Sequence, residues 1–210
     1  MAVDFQRLIS SPTLAYAEGL RFFKGTGMLN DTLSRLAEDL DRNEIDYAVI
    51  GAVALNQHGY QRFTHYIDIL LSSSGLEKFR DKLVGLGYRP AFEGATKKFR
   101  STSENVPVEF IVAGEYPGDG KPKPVSFPDP SDASIETDGI KTLALEKLIE
   151  LKLASGMTAG DRLKDLADVQ ELIKIKRLDA SLADKLDEFV RAKYLDLWTA
   201  VENAGSADDY

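Results

Sequence analysis

Apolar residues along this chain fall into short runs and helical stripes that together predict an alternation of strands and helices. Leu29, Leu33, Leu36 and Leu40 recur on one helical face after a cap at Asn30 or Asp31. The continuous apolar run Tyr47-Ala48-Val49-Ile50 suits a buried strand, and Gly51 breaks it. A short helix over Ala52–Gln57 then ends at His58-Gly59, and a second strand follows over Ile67–Leu71 with a single acid, Asp68, inside it. Upstream, Ser11-Pro12 reads as a helix start, and Phe22-Phe23 is expected to pack on the body. Downstream, Ser74 caps a predicted helix ended by Gly85 and Gly87, and two more strands are predicted over 97–102 and 106–112, the latter carrying Glu109.

Five prolines, at 117, 122, 124, 128 and 130, predict a surface loop over 114–138 that flanks the cleft. This loop is the expected boundary between an α/β half, residues 1–138, and a helical half, residues 139–210. The second half reads as three helices. One starts near Leu143 and ends at Gly156, one covers 161–174, and a long one covers 181–201 with Leu182, Leu186, Phe189, Val190, Leu197 and Trp198 on its apolar face. The tail from Ala204 is expected to lack order. The chain shows no internal repeat.

Composition narrows the class. With 210 residues, 43% hydrophobic and 29% charged, the chain has the make-up of an ordinary globular protein. The absence of cysteine excludes disulfides, thiolate zinc sites and cysteine nucleophiles. No apolar run is long enough for a membrane span, and the first residues lack the pattern of a signal peptide, so a cytoplasmic location is expected. A net charge of −8 argues against extensive duplex DNA binding while leaving room for a local basic pocket.

Three groups of residues could carry chemistry. The glycine turn at Gly51 would direct backbone N–H groups outward, a seat for phosphate, with Arg62 and Thr64 following it. Asp68 and Glu109 are acids inside apolar strands, and acids on adjacent strands can hold a magnesium ion completed by waters and substrate phosphates. The third group is the helical cluster Glu146, Lys152, Asp161, Arg162, Lys164, Asp165 and Asp168, in which a lysine or arginine could supply positive charge opposite the acids. Plainer roles compete with these. His58 reads as a helix-end residue, His65 as exposed, Lys152 as a solvated lysine, Arg162 and Asp165 as an intrahelical pair, and Asp168 as an anchor for Arg162 or a helix end.

The run GAVALNQHGYQRFTHYIDILL resembles the signature of the nucleotidyltransferase superfamily, in particular the bacterial branch with AbiEii-type toxins of toxin–antitoxin systems. Gly51, His58-Gly59, Arg62, Thr64, Ile67 and Asp68 fall in register with that branch. Glu109 matches its later strand acid, and Lys152 followed by Arg162, Lys164, Asp165 and Asp168 matches its helical segment. The resemblance covers residues 45–172. It implies a mixed β-sheet flanked by helices and followed by a helical C-terminal part. It also implies Mg²⁺ (or Mn²⁺), a nucleoside triphosphate, and transfer of a nucleoside monophosphate with release of pyrophosphate. The acceptor would be a tRNA end, another protein or a small molecule, and a cognate antitoxin is an implied partner. In the resemblance, Asp68 and Glu109 are metal ligands and, with Lys152, the catalytic set. Gly51, Ala52, Arg62, Thr64, Lys152, Arg162 and Asp165 then contact the nucleotide.

Two departures bear on activity. Tyr66 stands where the branch has its first metal-binding aspartate, and a neutral phenol is a poor magnesium ligand. Ala52 replaces the motif's second glycine or serine, which leaves the backbone N–H in place. A second reading is therefore a catalytically impaired nucleotide- or partner-binding regulator on the same fold.

Overall fold

The computed structural model describes residues 4–205. Three helices open the chain, α1 (Phe5–Ser10), α2 (Pro12–Phe23) and α3 (Met28–Arg42). The predicted strand, short helix and strand follow as β1 (Tyr47–Ile50), α4 (Gly51–Gln57) and β2 (Ile67–Leu71). Next come α5 (Ser73–Leu83), β3 (Tyr88–Pro90), β4 (Lys98–Ser101) and β5 (Pro107–Val112), then α6 (Pro130–Ala133), β6 (Ser134–Thr137) and β7 (Ile140–Leu143). The chain closes with α7 (Leu145–Thr158), α8 (Leu163–Lys176), a 3-10 segment over Ala180–Lys185, and α9 (Glu188–Gly205).

The seven strands form one mixed sheet in the order β3-β4-β5-β2-β1-β7-β6. β2 runs antiparallel to β1 and parallel to β5, and β7 lies parallel to β1 on its other side. Side chains alternate between faces along each strand. Tyr47, Val49, Ile67, Ile69, Leu71, Val108 and Phe110 enter one core with α3 and α5. There Phe79 of α5 lies against Tyr88, Phe99 and Phe110, with ring centroids 4.4 to 5.3 Å apart. On the opposite face Ala48, Ile50 and Leu70 pack under α7, α8 and α9. This is the expected helix-flanked mixed sheet with a helical C-terminal part.

Several predicted boundaries move, each for a local reason. The segment 114–138 holds more structure than its prolines suggest. Pro130 sits at the first position of α6, where a missing N–H costs nothing, and the proline-free residues after it form β6. β3 and β7 carry no apolar alternation of their own and are recruited by pairing with β4 and β1. α5 is capped by Ser72, which accepts from the Gly75 N–H at 3.0 Å, so Ser74 falls inside it. Gly156 does not end α7. A Cβ there would lie 2.5 Å from Leu166 Cγ, so the glycine permits the close approach of α8. The expected last helix is interrupted at Leu186-Asp187, where the Asp187 N–H donates to Glu150 Oε1 at 2.7 Å and its carboxylate caps α9 through the Phe189 N–H. α9 then continues through Gly205, so of the tail expected to lack order only 206–210 lie outside the described residues. Phe22 is buried, and its neighbour Phe23 is partly exposed against Phe63.

Candidate active site

The site is built where β1 ends. Gly51 takes φ +66°, a left-handed conformation that turns the strand directly into α4. The glycine is needed for space as well, because a Cβ at Gly51 would lie 2.1 Å from Asp68 Oδ2. The Asp68 carboxylate is thus seated against the corner itself. Ile50 pairs with Asp68 across the antiparallel β1–β2 ladder, and Asp68 pairs with Glu109 across the parallel β2–β5 ladder. In-register neighbours on adjacent strands point to the same face and stand about 4.8 Å apart at the backbone. The two acids therefore share one wall of a cleft with Gly51 and Tyr66.

The facing wall comes from the C-terminal helices. Lys152 and Ser155 of α7, and Arg162 and Asp165 at the start of α8, line it. Its apolar floor is made by Ile111, Leu148 and Leu151. The rim is Pro117, Gly118 and Phe127 of the proline-rich segment. That segment is fastened by Lys123, whose ammonium donates to the Pro117 carbonyl, to Asp119 and to Thr158 Oγ1 at the end of α7.

Charge is distributed unevenly in the cleft. Burial pushes the Asp68 carboxyl up to about 7, and the Glu109 carboxylate adds to the rise against the pull of Lys152, Arg162 and Lys164. Glu109 is half open and ion-paired with Lys98 at 3.3 Å. Burial also raises the Tyr66 phenol, with Asp68 contributing next, so it stays neutral. Lys152 is buried and donates to Asp165 Oδ1 at 2.9 Å and Asp168 Oδ2 at 2.7 Å. Burial disfavours the charge on Asp165, but the Lys152 ammonium and hydrogen bonds from Lys152 and Ser155 outweigh it and hold that carboxyl below the usual range.

The predicted site residues divide accordingly. Gly51, Asp68, Glu109, Lys152, Arg162 and Asp165 meet in the cleft. Arg62, Thr64 and Ala52 are not on its lining. The Arg62 guanidinium is ion-paired with Asp168, which also holds Lys152, so Asp168 anchors these two and not Arg162. Thr64 fixes the turn before β2, its hydroxyl donating to the Tyr66 carbonyl at 3.1 Å. Ala52 is buried in the first turn of α4. Asp165 bonds Lys152 and Ser155, so the expected intrahelical pair with Arg162 gives way to a helix-to-helix one, and Lys152 is not a solvated lysine. His58 ends α4 as expected, but its Nε2 meets the Leu143 carbonyl at 2.8 Å, and burial lowers its pKa. His65 is exposed and lies edge-on to Phe63. Sequence reasoning missed Ser155; the proline-rich segment flanks the cleft as expected, through Pro117, Gly118 and Phe127, which the proline density alone did not single out.

The donor set fits a magnesium ion. Among the described residues no three or more acids or histidines gather into a full protein cage. Magnesium asks for less, since it takes one or two carboxylates and completes its octahedron with water and substrate phosphates. Two facing carboxylates, one of them forced toward neutrality by burial and by the other, present charge that a bound cation would relieve.

No protein-family model matches the chain, and no curated protein matches it in sequence. Solved structures do. The crystal structure of ANT(2")-Ia in complex with adenylyl-2"-tobramycin superposes with a TM-score of 0.50 at 13% identity, over 79% of this chain and 96% of that one. This chain has a nucleotidyltransferase-like fold. An antigenic nucleotidyltransferase-like protein from Paracoccidioides brasiliensis is also similar, at 17% identity and a TM-score of 0.46, over 69% of this chain and 75% of that one. JHP933 from Helicobacter pylori is similar at 15% identity and a TM-score of 0.41, over 83% of this chain and 92% of that one. Within this nucleotidyltransferase-like fold, the Gly51 corner and the two acids lie at the carboxyl end of β1 and across β2 and β5.

Proposed function

We propose that the cleft binds a nucleoside triphosphate with one Mg²⁺ and transfers its nucleoside monophosphate to an acceptor, releasing pyrophosphate. The observation that carries this reading is the in-register pair Asp68 and Glu109 beside the Gly51 corner, with Lys152 and Arg162 on the facing wall. Asp68 and Glu109 would hold the cation, which when bound supplies charge neutralisation on the triphosphate. The backbone of Gly51 and Ala52 would cradle the phosphates, and Arg162 would meet charge developing on the departing pyrophosphate. Lys152 adds positive potential, held in place by Asp165 and by Asp168, which also pairs with Arg62.

The acceptor is an RNA end, a protein side chain or a small molecule. A role as a toxin–antitoxin component of the AbiEii type, with a cognate antitoxin, rests on the motif register of 51–68 and 152–168. We place the protein in the cytoplasm, where its triphosphate substrate is available; among the described residues no helix is long and apolar enough to cross a membrane.

Tyr66 favours a second reading. A neutral phenol sits on the acid wall where a third carboxylate would help clamp two ions. On that reading the protein binds nucleotide or a partner without turnover. Incorporation of labelled nucleoside triphosphate into total RNA and protein separates the two. Transfer by the unaltered chain supports the enzyme. Transfer only after Tyr66→Asp supports the impaired form, and silence in both overturns the transferase reading.

A further inference from the structure

We infer that Tyr66 is itself an acceptor, so that the chain attaches a nucleoside monophosphate to its own phenol. The inference rests on the nucleotide reading above and names an acceptor within the same cleft. Tyr66 lines the cleft beside Asp68, Glu109 and Gly51, and the residue is 40% exposed. It lies two residues before Asp68 at the entry to β2, on the same wall as the carboxylates that would hold the triphosphate's cation. Its backbone is pinned on both sides by Thr64, which donates to the Tyr66 carbonyl at 3.1 Å and accepts from the Tyr66 N–H at 3.4 Å. Its hydroxyl hydrogen-bonds no described residue. A neutral phenol brings no charge to a cation site. What it brings is a nucleophilic oxygen on the wall of the cleft proposed to hold the triphosphate.

In the step, a lone pair on the phenolic oxygen forms a bond to the α-phosphorus. The bond from that phosphorus to the oxygen bridging to the β-phosphate breaks, and pyrophosphate leaves with the electron pair. The phenolic proton passes to a Glu109 carboxylate oxygen. The product is a phosphodiester between Tyr66 and the nucleoside, lodged in the cleft, so a modified chain is closed to a second nucleotide.

The test uses the full chain, each of the four ribonucleoside triphosphates and Mg²⁺, with intact-mass measurement and peptide mapping. In parallel, binding of the matching α,β-methylene triphosphate analogue is titrated. The expected result is a gain of one nucleoside monophosphate on the peptide that contains Tyr66, absent from Tyr66→Phe. A preparation in which most chains are modified should bind the analogue with a stoichiometry lowered in proportion to the modified fraction, at the affinity of the unmodified chain. Analogue binding without an adduct overturns the self-modification and leaves the nucleotide reading standing. An adduct on any other residue, one that persists in Tyr66→Phe, or an undiminished binding stoichiometry in a modified preparation overturns it too. Mapping on the unsubstituted chain decides the matter even if Tyr66→Phe fails to fold. Failure to bind any analogue overturns the nucleotide reading itself.

Discussion

Gly51→Ala is the substitution whose consequences the structure defines most sharply. The residue sits at φ +66°, which costs an L-amino acid about 1–2 kcal/mol. The new methyl would also lie 2.1 Å from Asp68 Oδ2 and 3.0 Å from its Cγ. Reaching an ordinary contact requires the carboxylate to move by more than an ångström, out of its rotamer, for roughly another 0.5–1.5 kcal/mol. The sum is about 1.5–3.5 kcal/mol, a fall in Tm of roughly 3–14 °C for a chain of this size. Thermal unfolding monitored by circular dichroism measures it. The clash has a named partner, so Asp68→Ala should recover part of the loss when combined with Gly51→Ala, giving a coupling of about 1 kcal/mol in a double-mutant cycle. Nucleotide affinity should fall further than stability does, because the displaced acid is the proposed cation ligand. A Gly51→Ala protein with unchanged Tm, or strict additivity with Asp68→Ala, would refute the convergence of corner and acid.

Other expected outcomes follow from the same residues. Asp68 has a folded pKa near 7 against 3.8 for an ordinary aspartate, so its stabilising share is complete below about pH 4 and is lost as pH rises through 7. In the absence of divalent ions, Asp68→Asn should therefore stabilise the protein at pH 8 and not at pH 4, by at most about 4 kcal/mol, as read by urea unfolding at both pH values. Cation binding needs the ionised form, so magnesium affinity at pH 6 should be about tenfold weaker than at pH 8, measured by calorimetric titration. Lys152→Met leaves Asp165 and Asp168 buried with their shared ammonium gone and should cost about 3–5 kcal/mol in urea unfolding. Gly156→Val drives a side chain into Leu166 and should cost about 1–3 kcal/mol by the same measurement, whereas a Gly160 substitution, with open space around it, should cost less than 1 kcal/mol.

The parts of the fold that were legible in the sequence are those fixed by neighbouring residues. The Leu29–Leu40 stripe, the β1–Gly51–α4 turn and the apolar runs of β2 and β5 each carry their own signal, and two acids in such runs on adjacent parallel strands were bound to meet once the strands paired in register. What stayed hidden depends on distant partners. β7 is four residues with Lys and Thr among them, and its pairing with β6 and β1 makes it a strand. Arg62 looked like a phosphate ligand because of its position after the turn. Its partner Asp168 is 106 residues away, and no local pattern announces that pair. Lys152 looked solvated from its neighbours Glu146 and Glu150, yet Asp165 and Asp168 allow it to be buried as an ion. The rim of Pro117, Gly118 and Phe127 is likewise set by the Lys123 anchor to Thr158.

The central claim is that residues 68 and 109 jointly hold the cation of a bound triphosphate. Titrating each nucleoside triphosphate into the chain by calorimetry, with Mg²⁺ and with excess chelator, tests it directly in the unaltered protein, Asp68→Asn and Glu109→Gln. The account predicts binding that requires Mg²⁺ and is lost or reduced more than tenfold by either substitution, each removing a charged ligand worth at least about 1.4 kcal/mol. Binding that is indifferent to Mg²⁺, or that survives both substitutions unchanged, would contradict it.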